Sequence, residues 1–343
     1  VRVGIVLGPR ASASEIAELA RLAEVRGLSH VWLSGGARTK DHFVRLAVAA
    51  AATRRIRLGP VALSPFEMHP AQIALALLTL EELAPGRACA VLGAGGDLAA
   101  TLGLPARGRV DAVEECIDIV RLLAAGGEVN YTGARFRVKG LFSPWRGVPM
   151  DRLYLAANRP RMLRLAARKA DGVMVTDMPL AYLGRLIARI RAELAAAGRE
   201  TRPFGLSNWF VWNVQDTRQE AERLSRRLLG FRLYYIRDVA TSIGLGEAEV
   251  LELEAKQPEM LRAIFQGTPP WSPPPRVSDL LVEHLTLTSD RRGLDGCVER
   301  LLAFERLGLD QIALSPIGDP AAAITLIGDA VVPVVDRAAG SGS

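Results

Sequence analysis

The chain has 343 residues, 49% of them hydrophobic, with 43 Lys+Arg against 37 Asp+Glu and a formal net charge of +6. That is enough apolar material for a large core, yet no uninterrupted apolar run of about 18 residues suggests a membrane span. The cysteines, Cys89, Cys116 and Cys297, are far apart and odd in number, which excludes a disulfide framework or zinc signature and points to a reducing cytoplasm. The opening Val1–Leu7 run reads as a strand, too short for a secretory signal.

The elements alternate. Val3 to Leu7 is a short apolar run with the character of a buried strand. Ser12-Ala13-Ser14-Glu15 has capping-box spacing, and Ile16, Leu19, Ala20 and Ala23 then recur with helical period as far as Gly27. His30–Leu33 is a second strand, Phe43–Thr53 a helix, Ile56–Leu63 a third strand, and Pro70 opens a helix that stops at Pro85-Gly86. Ala88–Leu92, Leu153–Ala157, Val173–Val175 and Leu206–Val214 read as strands four to seven. Val110–Leu123, Pro160–Lys169, Leu180–Ala197 and Thr217–Leu229 are the helices that follow them. Leu294–Leu307 is assigned as an eighth helix and Gln311–Ser315 as an eighth strand, a pair out of order, with Val282–Thr288 adding an extra turn beforehand.

Such alternation predicts a parallel sheet covered by helices. Eight units of similar size favour closure into an α/β (β/α)₈ TIM barrel, with an open doubly wound sheet as the alternative. The length also fits two average domains, but barrels of this kind commonly run past 250 residues as one. The expectation is a single domain over 1–337, a flexible tail at 338–343, a small hairpin at Asn130–Lys139 and an insertion at about 231–292. The insertion contains the proline-rich Thr268–Pro275 and reads as a lid or a plain surface loop.

A barrel carries its chemistry at the C-terminal ends of its strands. The segments there are Ser34-Gly35-Gly36, Ser64-Pro65-Phe66-Glu67-Met68-His69-Pro70, Gly93-Ala94-Gly95-Gly96-Asp97, Ala157-Asn158-Arg159-Pro160 and Thr176-Asp177. Glycines allow close approach of a ligand to the backbone. Gly93-x-Gly95-Gly96 is not a dinucleotide fingerprint and reads equally as a tight turn. Asn158-Arg159-Pro160 opens a helix whose free N–H groups and dipole suit a phosphate, or it is simply an exposed helix start. Glu67 is the candidate catalytic acid at the mouth, with a solvated loop carboxylate as its bland alternative, and His69 before Pro70 reads as structural. His30, His42 and His284 do not cluster with cysteines or acids, and HExxH, Cys-x-x-Cys and Gly-x-Ser-x-Gly are absent, so metal and serine hydrolysis lack support. Arginines such as Arg185, Arg189 and Arg191 are spread along helices and read as solvated faces. A nucleic-acid surface would interleave a basic run with aromatics, whereas a mild positive field suits an anionic cofactor.

The run Arg57-Leu58-Gly59-Pro60-Val61-Ala62-Leu63-Ser64-Pro65-Phe66-Glu67-Met68-His69-Pro70 resembles the third-strand motif of luciferase-like monooxygenases, in the branch of methylenetetrahydromethanopterin reductases. Leu80–Arg87 with Gly93–Asp97, Pro160–Leu163 with Ala170–Val173, and Gly308–Ile312 resemble the family's later units in the right order, over nearly the whole chain. The resemblance implies a (β/α)₈ barrel of the bacterial-luciferase type holding the deazaflavin F420, or reduced FMN, across its mouth. It implies a non-proline cis peptide at about Val61, Ala62 and Leu63, cofactor contacts at Ser34, Gly35, Gly95, Gly96 and Asp97, and a phosphate near Ala157, Asn158, Arg159 and Pro160. It also implies a homodimer. Many family members carry an acid or histidine after strand two, where this chain has Ser34-Gly35-Gly36. Ser64, Phe66 and Met68 likewise stand where the motif has asparagine, tyrosine and arginine. The leading expectation is an F420-dependent oxidoreductase acting on a small organic substrate; the alternatives are an FMN-dependent monooxygenase using oxygen and a non-catalytic cofactor-binding barrel.

Overall fold

The structure, a computed structural model, describes residues 1–35, 40–95, 97–104 and 107–340. In chain order the first half comprises β1 (Arg2–Leu7), α1 (Ala13–Val25), β2 (His30–Ser34), α2 (His42–Ala52), β3 (Arg57–Leu63), α3 (Pro70–Leu83), β4 (Ala90–Leu92), α4 (Asp97–Thr101) and α5 (Arg109–Ala125). A hairpin of β5 (Gly127–Thr132) and β6 (Arg137–Ser143) follows, then β7 (Leu153–Ala156), α6 (Pro160–Lys169), β8 (Gly172–Thr176), α7 (Leu180–Ala196) and β9 (Gly205–Gln215). The remainder is α8 (Arg218–Arg227), α9 (Ile236–Val239), α10 (Glu247–Gln266), α11 (Pro275–Leu285), β10 (Thr286–Asp290), α12 (Leu294–Arg306), β11 (Gln311–Pro316), α13 (Pro320–Leu326) and α14 (Val332–Gly340). Among the described residues no helix is long and apolar enough to cross a membrane.

Strands β1, β2, β3, β4, β7, β8, β9 and β11 pair in that order, all parallel, and β11 returns to β1, so the sheet closes. Side chains alternate across the wall, as the two-residue strand period requires. Val3, Ile5, Leu7, Val31, Leu33, Leu155, Val173 and Ile312 join the outer core beneath the helices. Val6, Trp32, Val61, Cys89, Val91, Tyr154, Met174 and Ala313 fill the barrel itself. The helices begin where local chemistry supplies a cap. Ser12 and Glu15 form the expected capping box at α1, Asp41 accepts from the Val44 amide at α2, and His69 Nδ1 accepts from the Ala71 amide at α3. His69 thus has the structural role its position suggested.

The structure corrects the C-terminal third. Val282–Thr288 is not an extra turn: α11 ends at Leu285 and β10 begins at Thr286, parallel to the second half of β9. Val211 and Trp212 pair with β10 along one edge and with β11 along the other, so β10 continues the β8 side of β9 above the point where β8 stops. The order is therefore regular, with α12 following β10 and a further helical pair, α13 and α14, following β11. The 231–292 insertion is mainly helical, and its proline-rich piece is the link between α10 and α11. Helix α14 runs through Gly340 into the stretch expected to be a tail, and residues 341–343 lie outside the described ones.

Candidate functional site

At the C-terminal ends of the strands the parallel ladder continues for one more hydrogen bond in several places. Gly35 N donates to Val61 O at 3.1 Å, Gly93 N to Leu63 O at 2.8 Å, Ala157 N to Met174 O at 3.3 Å and Asp177 N to Trp209 O at 2.9 Å. These bonds tie the strand ends to their neighbours at the mouth. Arg45, almost fully buried on α2, adds a clamp. Its guanidinium donates to the carbonyls of Gly8 (3.2 Å), Lys40 (3.0 Å) and Asp41 (3.2 Å), tying the loop after β1 to the loop after β2.

The middle of the ring is lined by small residues. A Cβ on Gly93 would sit 3.1 Å from the Ala62 Cβ and 3.5 Å from the Ala156 Cβ, so Ala62, Gly93 and Ala156 are neighbours across three strands. Val61, Val91 and Met174 pack beneath them. The Val61–Ala62 peptide is cis, where the resemblance puts it, and the β3–β4 register shifts between Val61 and Leu63. The result is a shallow apolar floor with no bulky side chain rising from these three strands, the shape a planar ring requires. Trp209 borders the floor from β9, and its buried indole Nε1 has no hydrogen-bond partner.

Other expected residues divide by role. Ser34 bonds the Leu7 carbonyl through Oγ at 3.2 Å. Leu63 and Ala157 turn outward into the helix-facing core, so only their backbone borders the mouth. Asn158 is buried and spent on structure: Nδ2 donates to Thr176 O at 3.2 Å, and Oδ1 accepts from Thr176 N at 3.1 Å. Arg159 is the N-cap residue of α6 without a side-chain cap, and Pro160 occupies the first turn, so the amides of that turn face outward. Gly95 adopts a left-handed φ of 84° in the turn before α4, where a Cβ would lie 3.0 Å from Ser64 Oγ. Asp97 opens α4, and Gly96 and Gly36 lie outside the described residues. Glu67 Oε1 accepts from the Ala99 amide at 3.2 Å, which ties the loop after β3 to α4.

Three features go beyond what the sequence indicates: the place of His42, the partner of Asp177 among the strand-end residues, and the reach of Asp238. The imidazole of His42, the first residue of α2, fills the space that a side chain at Gly35 would take: Nε2 lies 2.3 Å from the position of a Cβ there. That nitrogen is buried and unpartnered. Burial and then the Arg45 charge lower the His42 pKa, and Asp41 and a bond to the Ser34 backbone offset this only in part, so the ring is neutral near pH 7. Second, Asp177 closes β8 with a left-handed φ of 54° and is buried against Arg232 from the insertion, at 2.7 Å. Burial pushes its pKa up to about 6 despite the guanidinium. Third, Asp238 of α9 reaches Arg159 at 3.6 Å, a second ion pair between the insertion and the ring. Among the described residues no cluster of metal-ligating side chains occurs.

The family model for luciferase-like monooxygenases matches residues 1–311. A 5,10-methylenetetrahydromethanopterin reductase of Archaeoglobus fulgidus is 28% identical over 341 residues, covering 97% of this chain and 99% of that protein. An F420-dependent glucose-6-phosphate dehydrogenase of Microbacterium testaceum is 32% identical over 204 residues, 54% of this chain and 60% of its own. The solved coenzyme F420-dependent tetrahydromethanopterin reductase from Methanopyrus kandleri superposes with a TM-score of 0.83 at 22% identity, over 97% of this chain and 99% of its own. With a closed eight-stranded barrel, a small-residue floor at its C-terminal mouth and a family match over most of its length, the chain belongs to the luciferase-like monooxygenase family.

Proposed function

We propose that this protein is an F420-dependent oxidoreductase that moves a hydride between the deazaflavin and a small organic substrate such as an alcohol–carbonyl or imine pair. The observation that carries the reading is the Ala62–Gly93–Ala156 floor, a cradle that a single Cβ on Gly93 would begin to fill. The unpartnered polar atoms of Trp209 and His42 around it support the fit. The two sequence relatives are a reductase and an F420-dependent dehydrogenase, which favours reduction or dehydrogenation.

The cofactor, when bound, supplies or accepts the hydride. The chain positions the ring and keeps water away through the floor and the apolar layer beneath it. The uncapped first turn of α6, with Arg159 beside it, is suited to hold the cofactor phosphate. Reducing a carbonyl needs a proton at oxygen as well as a hydride at carbon. We assign that proton to His42, whose ring replaces the missing side chain after strand two. Being neutral, Nε2 takes a proton in the oxidative direction and, once protonated, gives it back in the reductive one. Glu67, bonded to the α4 backbone, then has a positioning role. The helical part of the insertion, residues 231–285, fastened by Arg232–Asp177 and Arg159–Asp238, acts as the cover that selects the substrate. The same reading expects a homodimer in a reducing cytoplasm, in keeping with three buried free thiols.

The test is turnover: reduced and oxidised F420 are offered with a panel of alcohols, ketones and imines, and cofactor absorbance is followed. Substrate-dependent bleaching or recovery supports the assignment. Oxygen-dependent turnover with reduced FMN alone overturns it in favour of a monooxygenase, and binding without any turnover favours a non-catalytic barrel.

A further inference from the structure

The opposite, N-terminal end of the barrel concentrates positive charge that the mechanism does not use. Strand parity fixes the inward-facing residues there. Since Val6, Trp32, Val61, Cys89, Tyr154 and Ala313 lie inside, so do Arg2 of β1, His30 of β2, Arg57 of β3, Arg152 next to β7 and Gln311 of β11. The pairing brings them close together: Arg2 is opposite Gln311, and His30 is opposite both Arg57 and Gly4, two residues on from Arg2. All three guanidiniums are near enough to depress the ionisation of His30, together with burial, and to act on the Tyr154 hydroxyl as well. Arg152 pairs with the exposed Asp151 at 3.2 Å. Among the described residues Arg2 and Arg57 have no ion-pair partner. Most carboxylates near this end are committed elsewhere: Glu24 to the amides of residues 54–56, Glu81 to Gly86 and Ala88, Asp171 to Leu153 and Arg121, Asp310 to Leu206, and Glu305 to the N-terminal ammonium.

Beneath the guanidiniums two buried side chains are incompletely satisfied. Gln311, 3% exposed, accepts from Ser207 Oγ at 3.0 Å, but its Nε2 donor is unpartnered. His30, 2% exposed, lies 2.9 Å from Ser29 Oγ through Nδ1, and Ser29 Oγ donates to Val3 O at 2.8 Å. The Nδ1 atom is therefore the donor, and the unpartnered Nε2 is an acceptor. Both side chains border Gly4: a Cβ there would meet the His30 Cβ at 3.1 Å and Gln311 Nε2 at 3.4 Å. A buried donor and acceptor without partners, under converging guanidiniums, call for a ligand with both acceptor oxygens and a hydroxyl.

We infer that the N-terminal mouth of the barrel binds a small oxyanion of the hydrogenphosphate class, gripped by Arg2, Arg57 and Arg152 over His30 and Gln311. The site is separate from the cofactor end and does not depend on the reading given for it.

Inorganic phosphate is the probe, titrated calorimetrically into the full chain at fixed ionic strength, with thermal unfolding in parallel. The expected result is saturable one-to-one binding that raises the unfolding temperature and weakens at least tenfold in Arg2→Gln/Arg57→Gln. Binding is retained in Arg159→Gln, which removes charge at the cofactor end. Arg2→Gln alone, at an exposed position, gives an intermediate loss and serves if the double variant does not fold. Absence of saturable binding overturns the inference. So does binding abolished by Arg159→Gln and unchanged in the Arg2 and Arg57 variants, which would place the phosphate at the cofactor end.

Discussion

Replacing Arg232 by leucine tests the fastening between the insertion and the barrel, and its cost depends on pH in a way the structure sets. In the folded protein Asp177 titrates at about 6, above its ordinary 3.8, because burial disfavours the carboxylate more than Arg232 restores it. A raised folded pKa means that stability from this group is complete below pH 3.8 and is lost as pH rises to about 6, by about 3 kcal/mol at ~1.36 kcal/mol per pH unit. At pH 5 Asp177 is already mostly protonated, so Arg232→Leu removes little more than a hydrogen bond to a neutral acid, about 1 kcal/mol. At pH 8 the carboxylate loses its only ion-pair partner among the described residues. It then stays ionised and buried or takes up a proton, and uptake caps the added cost at about 2.7 kcal/mol. The total of about 3–4 kcal/mol agrees with the roughly 3–5 kcal/mol typical of breaking a buried pair from one side. Urea unfolding of wild type and variant at pH 5 and pH 8 measures both values. An equal loss at the two pH values would refute the claim that a buried, ionised Asp177 is what Arg232 compensates.

Other outcomes follow from the same geometry. Gly93→Val puts two methyls over the Ala62–Ala156 floor; the protein should fold, and cofactor binding should weaken at least about tenfold, roughly 1.4 kcal/mol, by fluorescence titration. His42→Gln should leave cofactor affinity within about twofold, lower kcat by about 10²–10⁴-fold and flatten the acid limb of the kcat profile; unchanged kcat removes His42 from proton transfer. Glu24→Gln weakens a carboxylate that accepts from the amides of Arg54, Arg55 and Ile56, with an expected loss of about 1–3 kcal/mol in urea unfolding. Phe210→Ala, at a fully buried position packed edge-on against Phe304, should cost about 3–5 kcal/mol.

Much of the barrel was legible because a strand covered on both faces must be apolar, and Val3–Leu7 or His30–Leu33 could be little else. Strand β10 was missed for the opposite reason. Thr286-Leu287-Thr288-Ser289-Asp290 is polar, and its buried threonine hydroxyls are satisfied by each other, by Ser225 and by the Val282 carbonyl, contacts the sequence does not display. Helix α10 is hard to see in the sequence because a proline-rich stretch follows it and Pro258 lies within it. The site was legible at the strand ends, where glycines and small residues mark close approach, and illegible where the chain folds back. His42 stands seven positions after Gly35, and only the tertiary fold puts its ring where a side chain at 35 would be. Asp177 and Arg232 are 55 residues apart, and no local pattern announces their pairing. The resemblance puts Asn158 near a phosphate, but burial beside Thr176 commits its side-chain amide to the backbone.

The most direct test of the central claim is a fluorescence titration of the purified protein with F420 and, separately, with FMN. The account predicts saturable one-to-one F420 binding with Kd on the order of micromolar or tighter, weakened by Gly93→Val and by Arg159→Gln. Tight FMN binding with none of F420, or F420 binding indifferent to Gly93→Val, would contradict it.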